Sequence, residues 1–197
     1  EHTRHNIGFI TVDYLAEKAF LPLVIEDDDH SIGTFVKNYR NVTGEFKLMS
    51  PEDGTEFSSV TGKQLESVRV VEDGEVRTVI ESVLSYNHSF LCIKYILPKK
   101  GTEIQVQLRV HWNEKAKMLK LSVPTMFQDS KYMGQVAYGA DELPDNGDEA
   151  VSQKWSGVVS EKEDCMLTCI NDGIYGSDFS HGELRLSLLR SPRYGCL

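Results

Sequence analysis

The sequence predicts an all-β protein built as a large antiparallel β-sandwich. Apolar and polar residues alternate with a period of two in several segments, turn residues separate these segments, and helical periodicity is scarce. Successive side chains of a strand point to opposite faces, so these segments bury one face and expose the other. Because 197 residues can form one large domain, we expect a single sandwich domain over residues 1–197.

The first part of the chain contains a short helical pattern followed by strand patterns. Residues 12–20 can form one or two helical turns, which Leu21-Pro22 would end. Alternating runs flank Asp73-Gly74, a dipeptide favoured in tight hairpin turns, so we expect a hairpin there. A further strand is predicted over residues 90–97, before Pro98.

The clearest alternation lies in residues 104–112. One face carries the apolar side chains, namely Ile104, Val106, Leu108, Val110 and Trp112. The opposite face carries polar side chains and is expected to be more exposed to solvent: Gln105, Gln107, Arg109 and His111. Residues 113–117 then form a predicted turn, and residues 119–123 continue the alternation, so we expect the two runs to pair as a hairpin. Trp112 ends the apolar face and is therefore expected in the hydrophobic core.

The later part of the chain carries strand patterns at residues 158–159, 165–170 and 184–189. Residues 126–154, which are interrupted by glycines, a proline and an asparagine, are predicted to be irregular. Arg185 and Arg190 fall on the last strand. Because they are five positions apart, we expect them to face different sides unless a bulge intervenes.

Charge and cysteine content exclude several classes of partner. The net charge of −9 would repel nucleic acids and anionic membranes, and no apolar run approaches the roughly 20 residues of a membrane helix. We therefore expect neither a nucleic-acid nor a membrane partner. The four cysteines form no Cys-x-x-Cys pair. Free buried thiols are favoured over a metal site or a disulfide, which fits a reducing compartment and a cytoplasmic location.

Several loops carry residues that could bind a ligand. The acidic run that includes Asp28 could hold calcium or act as acid and base, or it is simply an acidic turn after a strand. Tyr138 and Trp155 lie near carboxylates in the sequence, a combination that suits stacking against sugars and hydrogen bonding to them. The alternative is that the two aromatic side chains only pack their own loop against the rest of the fold. Asp172 and Tyr175 belong to a tight turn and are either contact residues or turn formers.

These loops are expected to lie near one another, together with Arg190, whose guanidinium offers a rigid fork of donors. The loops in question are residues 27–33, 138–149 and 171–176. The sequence contains no glycine-rich phosphate loop, no His-Glu-x-x-His helix and no Gly-x-Ser-x-Gly elbow. Its six histidines are scattered, so we expect no catalytic residue and no metal ligand in this chain.

Seven short motifs, taken in order, resemble the C-terminal β-sandwich region of glycoside hydrolase family 38, the zinc-dependent α-mannosidases. They lie at residues 27–33, 39–46, 70–77, 110–121, 137–155, 171–176 and 188–192. Two positions depart from the family pattern: Ile32 stands where an aromatic residue is common, and Glu75 stands where proline is common.

The resemblance implies a galactose-mutarotase-like supersandwich within an enzyme that hydrolyses α-mannosides by a retaining double displacement. In the family, the aspartate nucleophile, the acid and the zinc belong to an N-terminal barrel, which residues 1–197 do not match. We therefore expect a fragment truncated on both sides, with no cofactor of its own and with zinc in the missing catalytic domain.

The resemblance also implies two partners, the catalytic barrel of the same polypeptide and a mannose-containing glycan. The residues expected to contact them are Asp172, Tyr175, Arg190, Tyr138, Trp155 and Asp28. Two other interpretations stay open: an autonomous carbohydrate-binding module and a structural or oligomerisation sandwich.

Overall fold

The computed structural model describes residues 20–27, 39–59, 61–127 and 129–191. Their regular structure is almost all antiparallel strand, with one helix, so the predicted all-β antiparallel sandwich class is confirmed. They divide into two compact units, the first containing Phe46–Glu114 and the second containing the described parts of Leu15–Glu45 and Lys115–Leu197. The organisation as a single domain stays a prediction, and the helical turns predicted over residues 12–20 lie, apart from Phe20, outside the described residues.

In chain order the elements are β1 (Leu21–Glu26), β2 (Val42–Glu45), β3 (Lys47–Leu48), α1 (Pro51–Phe57), β4 (Val68–Asp73), β5 (Arg77–Tyr86), β6 (Ser89–Pro98), β7 (Gln105–His111), β8 (Lys117–Pro124), β9 (Ser130–Val136), β10 (Gly139–Glu142), β11 (Ala150–Val151), β12 (Trp155–Ser160), β13 (Cys165–Ile170), β14 (Gly176–Ser180) and β15 (Glu183–Ser191). Among the residues that the structure describes, no helix has the length and apolar character needed to cross a membrane.

The first unit is one antiparallel sheet in the order β3-β5-β6-β7, with β4 also paired to β5. The β4–β5 hairpin turns after Asp73 and the β6 strand covers residues 90–97, so both of these predictions are confirmed. The buried apolar side chains of this unit are Phe46, Met49, Val79, Val83, Leu84, Leu91, Ile93, Tyr95 and Leu97.

The helix α1 packs on this sheet and has a complete N-terminal cap. The side chain of Ser50 accepts a hydrogen bond from the backbone N–H of Asp53 at 3.1 Å, and Pro51 occupies the first turn, where its missing N–H costs nothing. Gly54 lies against the sheet, since a Cβ there would sit 3.4 Å from Val83 Cγ2. A short, capped helix of this kind depends on packing for its stability.

The second unit is a sandwich of two sheets. One sheet has the order β11-β14-β15-β8-β1-β2 and the other has the order β10-β9-β12-β13. A single buried cluster contains side chains of both sheets: Val123, Tyr132, Ala150, Val158, Phe179 and Leu184. The rings of Tyr132 and Phe179 lie 5.6 Å apart across this core.

One prediction about strand pairing is wrong. The expected hairpin between residues 104–112 and 119–123 does not form, because β7 pairs with β6 while β8 lies between β1 and β15. The alternation of apolar and polar residues identifies a strand but not the strand with which it pairs. Both faces of β8 are buried, as expected for a strand in the middle of a sheet.

The stretch predicted to be irregular, residues 126–154, contains β9, β10 and β11. Its small and polar residues hide the alternation. Gly134 is small because packing requires it: a Cβ there would meet Leu143 Cδ1 at 2.6 Å and Ser152 Cβ at 2.8 Å.

Three of the four cysteines are described, and all three are free thiols: Cys92, Cys165 and Cys169. Cys165 and Cys169 share the inner face of β13, as their spacing predicts. Burial raises the pKa of the Cys169 thiol to about 12, so it stays protonated at neutral pH. Cys196 lies outside the described residues.

The tryptophan that ends the apolar face of β7 is only half-buried, which corrects its predicted place in the core. β7 is the last strand of its sheet, and its apolar face is half-buried along its whole length. Trp112 follows the strand and stacks on the buried Phe46 ring, with 6.4 Å between centroids.

We therefore expect Trp112→Ala to lower the free energy of unfolding by about 2 kcal/mol, less than the ~3–5 kcal/mol typical of a fully buried tryptophan. Urea unfolding followed by circular dichroism measures the loss. Tyr138→Ala, at a fully exposed aromatic residue, is the control and should leave the midpoint nearly unchanged. An unchanged midpoint for Trp112→Ala would show that the Phe46 contact contributes nothing.

Candidate functional site

Four of the predicted contact residues, Tyr138, Trp155, Asp172 and Tyr175, belong to segments that meet at one end of the sandwich of the second unit. β9 ends and β10 begins at the turn that carries Tyr138, and β12 begins at Trp155, whose strand partner Ile170 ends β13. Backbone hydrogen bonds join the neighbouring segments: Gln153 N donates to Gln135 O at 2.8 Å, and Asn171 N donates to Lys154 O at 2.9 Å. A third runs from Ser152 N to Tyr175 O at 2.9 Å, which brings the start of β14 to the same end.

This end exposes the large apolar side chains of Tyr138, Ile170, Val151 and Tyr175. These four residues and Asp172 are called the exposed end below. Their relative exposures are 109% for Tyr138, 82% for Ile170, 71% for Val151 and 51% for Tyr175. Trp155, next to Ile170 in the sheet, is half-buried. Several large exposed apolar side chains at one end of a fold favour a contact surface there.

The turn that presents Tyr138 is strained. Val136 pairs directly with Gly139, so Ala137 and Tyr138 form a two-residue turn, and Tyr138 has a φ of +69°. A residue with a side chain tolerates this left-handed conformation poorly, at a cost on the order of 1 kcal/mol. The turn therefore keeps an exposed aromatic residue where glycine would be more stable.

Asp172 is presented by a well-ordered turn. The Asn171 Oδ1 atom accepts hydrogen bonds from the N–H of Gly173 at 3.1 Å and from the N–H of Ile174 at 2.9 Å. Gly173 has a φ of +104°, which glycine adopts without penalty. Asn171 is thus the turn former, and the exposed Asp172 side chain is available for contact.

The other predicted loops join this end only in part. Asp28 and the rest of residues 28–33 lie outside the described residues. The middle of loop 138–149 runs to the opposite end, since Leu143 N donates to Tyr132 O and Gly147 N donates to Phe179 O. Its expected place beside residues 171–176 is therefore wrong for that middle part, whereas the last residue of the loop, Glu149, lies against Gly176.

Arg190 lies at the same end of the six-stranded sheet, but its side chain is held by contacts within the fold. Its Nε and one terminal nitrogen donate to the two carboxylate oxygens of the buried Asp27 at 2.6 and 2.7 Å. Its guanidinium also lies 5.3 Å from the centroid of the Tyr39 ring. The guanidinium is therefore held in one orientation and is three-quarters buried.

A bulge explains how Arg190 reaches this position. The register between β15 and β8 shifts between Ser187 and Leu189, so that Arg185 lies opposite Ser122 while Arg190 lies opposite Met118. Directly opposed residues of neighbouring strands point to the same face of the sheet. Ser122 and Met118 are four positions apart on β8, so they also point to the same face. The two arginines therefore share a face, which is the exception that the expectation allowed for a bulge, because the bulge inserts one extra residue.

The same face of this sheet carries buried charges that sequence reasoning missed. This charged cluster consists of Arg40, Lys120, Glu149, Asp178, Glu183 and Arg185. The Lys120 side chain is fully buried and its ammonium donates to both Glu149 and Asp178. Arg40 donates to Asp178 and, at 2.9 Å, to Glu183, which Arg185 also contacts at 2.8 Å.

The charged cluster is electrically balanced, with three cations facing three carboxylates. Burial alone would raise the pKa of Glu183, but hydrogen bonds from Arg185 and Ser122, with the charges of Arg185 and Arg40, hold that pKa below its usual value. The carboxylates are therefore engaged as ion-pair partners. Buried charges persist only when they are paired and hydrogen-bonded in this way.

Small residues make room for the Lys120 ion pairs. Ser187 lies between Lys120 and β14 and donates to Glu149 through its hydroxyl. Gly176 lies on the other side, where a Cβ would meet Glu149 Oε1 at 2.5 Å and Ser187 Cβ at 3.2 Å. The charged cluster thus needs both positions to be small.

Within the described ranges, no group of three or more His, Cys, Asp or Glu side chains is arranged to hold a metal ion. The clustered carboxylates of the second unit are bonded to arginine and lysine instead. These residues do not fit a zinc site, and no chemical step of this chain is assigned to zinc.

Comparison with known proteins identifies one family. The family described as "Glycosyl hydrolases family 38 C-terminal domain" matches residues 32–195. A search of curated proteins finds no match to the chain.

We expect Lys120→Met to destabilise the chain by about 3–5 kcal/mol, because it removes the buried cation that Asp178 and Glu149 share and leaves three carboxylates against two cations in the cluster. Chemical denaturation measures the change. Lys131→Met is the matched control: Lys131 bonds Glu161 at 2.6 Å, but both side chains are at least half exposed, so the midpoint should not move. Equal effects of the two substitutions would contradict a special role for the buried pair.

We expect Gly176→Ala to lower the free energy of unfolding by about 1–3 kcal/mol, because the added methyl group would collide with the Glu149 carboxylate. Gly139→Ala is the control, since a Cβ at Gly139 meets no atom within 4 Å. Thermal unfolding of both variants provides the comparison. A Gly176→Ala variant as stable as the control would show that Glu149 moves aside freely.

Proposed function

The chain belongs to glycosyl hydrolase family 38, and we propose that it is the non-catalytic C-terminal β-sandwich domain of an α-mannosidase. In this proposal the domain packs on the catalytic barrel of the same polypeptide and forms part of the wall of its sugar cleft. The substrate is a mannose-containing glycan, the zinc belongs to the catalytic domain, and the enzyme acts in the cytoplasm.

The exposed end is the observation that carries the proposal. Tyr138, Ile170, Val151 and Tyr175 together present apolar surface that an isolated soluble domain has no reason to expose. Burying a tyrosine or isoleucine side chain at an interface contributes about 1.5–3 kcal/mol. The strain at Tyr138 supports the same conclusion, because a contact with a partner compensates for an unfavourable turn.

The choice of partner rests on the family. The matching family is a C-terminal domain of glycosyl hydrolases, so a catalytic domain elsewhere in the polypeptide is the natural occupant of this surface. The paired state of the carboxylates in the charged cluster agrees with a non-catalytic role, because glycoside hydrolysis uses two carboxyl groups that face each other across the scissile bond.

The polar residues near this end have roles in sugar contact under the same proposal. Asp172 offers an exposed carboxylate that accepts hydrogen bonds from hydroxyl groups, and Trp155 and Tyr175 offer aromatic faces for stacking. Arg190, whose guanidinium Asp27 holds in one orientation, is proposed as a further contact on the basis of the family resemblance. Asp28 is proposed as a further contact on the basis of the family resemblance.

The test uses a polypeptide that contains both this chain and its catalytic domain, with release of nitrophenol from nitrophenyl α-mannoside as the readout. We expect Ile170→Asp to lower kcat/KM about tenfold or more, because a charge at an interface centre disrupts docking. Met126→Asp is the matched control: Met126 is also 71% exposed but follows β8 at the opposite end.

The isolated 197-residue chain should release no nitrophenol above a heat-killed sample, with or without added zinc. Turnover by the isolated chain would contradict the non-catalytic role. Hydrolysis of other glycosides but not of α-mannosides by the complete polypeptide would contradict the assignment to the α-mannosidases. Equal activity of the Ile170→Asp and Met126→Asp variants would contradict docking through the exposed end.

A further inference from the structure

The strand β7 of the first unit carries a row of exposed polar side chains that the proposed function does not use. Gln105, Gln107, Arg109 and His111 occupy every second position of the strand, and all four are exposed. This row is called the polar stripe below. Neighbouring side chains on one face of a strand are roughly 6.6 Å apart, so the stripe extends over roughly 20 Å.

The side chains of the polar stripe are available for binding. Among the residues that the structure describes, those of Gln105, Gln107 and Arg109 form no hydrogen bond or ion pair. Sheet pairing engages β7 with β6 alone, so the stripe borders the open edge of the described sheet. These groups are therefore hydrogen-bonded to solvent and can exchange it for a ligand.

An aromatic platform adjoins one end of the polar stripe. The His111 ring stacks on Phe90 with 5.9 Å between centroids, and Phe90 stacks on Phe57 at 5.4 Å. Phe57, which ends α1, is 44% exposed. Three stacked rings, one of them His111 itself, thus lie next to the three other planar polar groups of the stripe, on the face of the sheet that also carries α1.

This combination fits a neutral polyhydroxylated ligand. Carboxamide and guanidinium groups present pairs of donors and acceptors in a plane, which match neighbouring hydroxyl groups, while aromatic rings pack against the apolar faces of sugar rings. Arg109 is the one permanent cation of the stripe, and the net charge of −9 opposes a polyanion. The stripe itself carries no apolar side chain for an apolar peptide.

We infer that the polar stripe and the adjoining Phe90 and Phe57 rings bind a neutral oligosaccharide chain. That the sugar is mannose rests on the proposed function, since an α-mannosidase meets mannose-containing chains. The surface would hold part of a long glycan outside the catalytic cleft, which raises the effective concentration of the cleavable end.

The test is a titration of the 197-residue chain with a linear α-mannotetraose, followed by calorimetry and by NMR shifts of the glutamine side-chain amides. We expect saturable binding with a Kd on the order of 1 mM. The double variant Gln107→Ala/Arg109→Ala should weaken binding about tenfold, because it removes two sets of hydrogen bonds. Lys100→Ala/Glu103→Ala, at exposed polar residues of the same unit, is the control and should bind like the parent.

Absence of saturable binding overturns the inference, and so does binding that the Gln107→Ala/Arg109→Ala variant leaves unchanged. Neither result bears on the proposed function, which is tested by hydrolysis of nitrophenyl α-mannoside. That substrate is too short to reach a separate surface, so the stripe variant should hydrolyse it normally in the complete polypeptide. In contrast, the stripe variant should hydrolyse a long mannan with a raised KM.

Discussion

The ion pair between the fully buried ammonium of Lys120 and the carboxylates of Asp178 and Glu149 constrains the rest of the second unit. It joins β8 and β14 to the start of β11. Arg40 extends the network to the segment before β2. Removing charges from water is costly, and the cost is offset only in one well-aligned geometry. A slip of one residue in β8 would turn the ammonium into the apolar core, so the pair fixes the register.

The same interaction gives the exposed end a rigid base. Glu149 immediately precedes β11, whose Val151 is exposed, and Gly176 follows the exposed Tyr175. The Glu149 carboxylate fits against Gly176 while Lys120 and Ser187 hold it, and the next hydrogen bond joins Ser152 to Tyr175. The apolar groups at this end are therefore carried by backbone that has little freedom, which lowers the entropic cost of docking against a partner.

Local patterns predicted the strands well but could not predict their partners. Asp73-Gly74 specifies its hairpin through turn chemistry, whereas the strand signal at residues 119–123 is equally compatible with any neighbour. The signal for α1 was present in Ser50-Pro51 and was missed because the helix has only seven residues. In the site, the turn residues around Asp172 were found locally, but Lys120 meets acids 29 and 58 positions away, and its alternation suggested a solvent-facing side chain. The bulge that redirects Arg190 has no local signature in the sequence.

The left-handed turn at Tyr138 has a consequence for protein engineering. Glycine at this position would relieve the backbone strain, and an exposed aromatic side chain contributes little to the stability of the isolated domain. A library screened for heat resistance alone would therefore select Tyr138→Gly and lose the aromatic ring without any sign of damage to the fold. Stability and docking impose opposite demands on this one residue, so thermostabilised versions of the domain have to be selected in the presence of its partner.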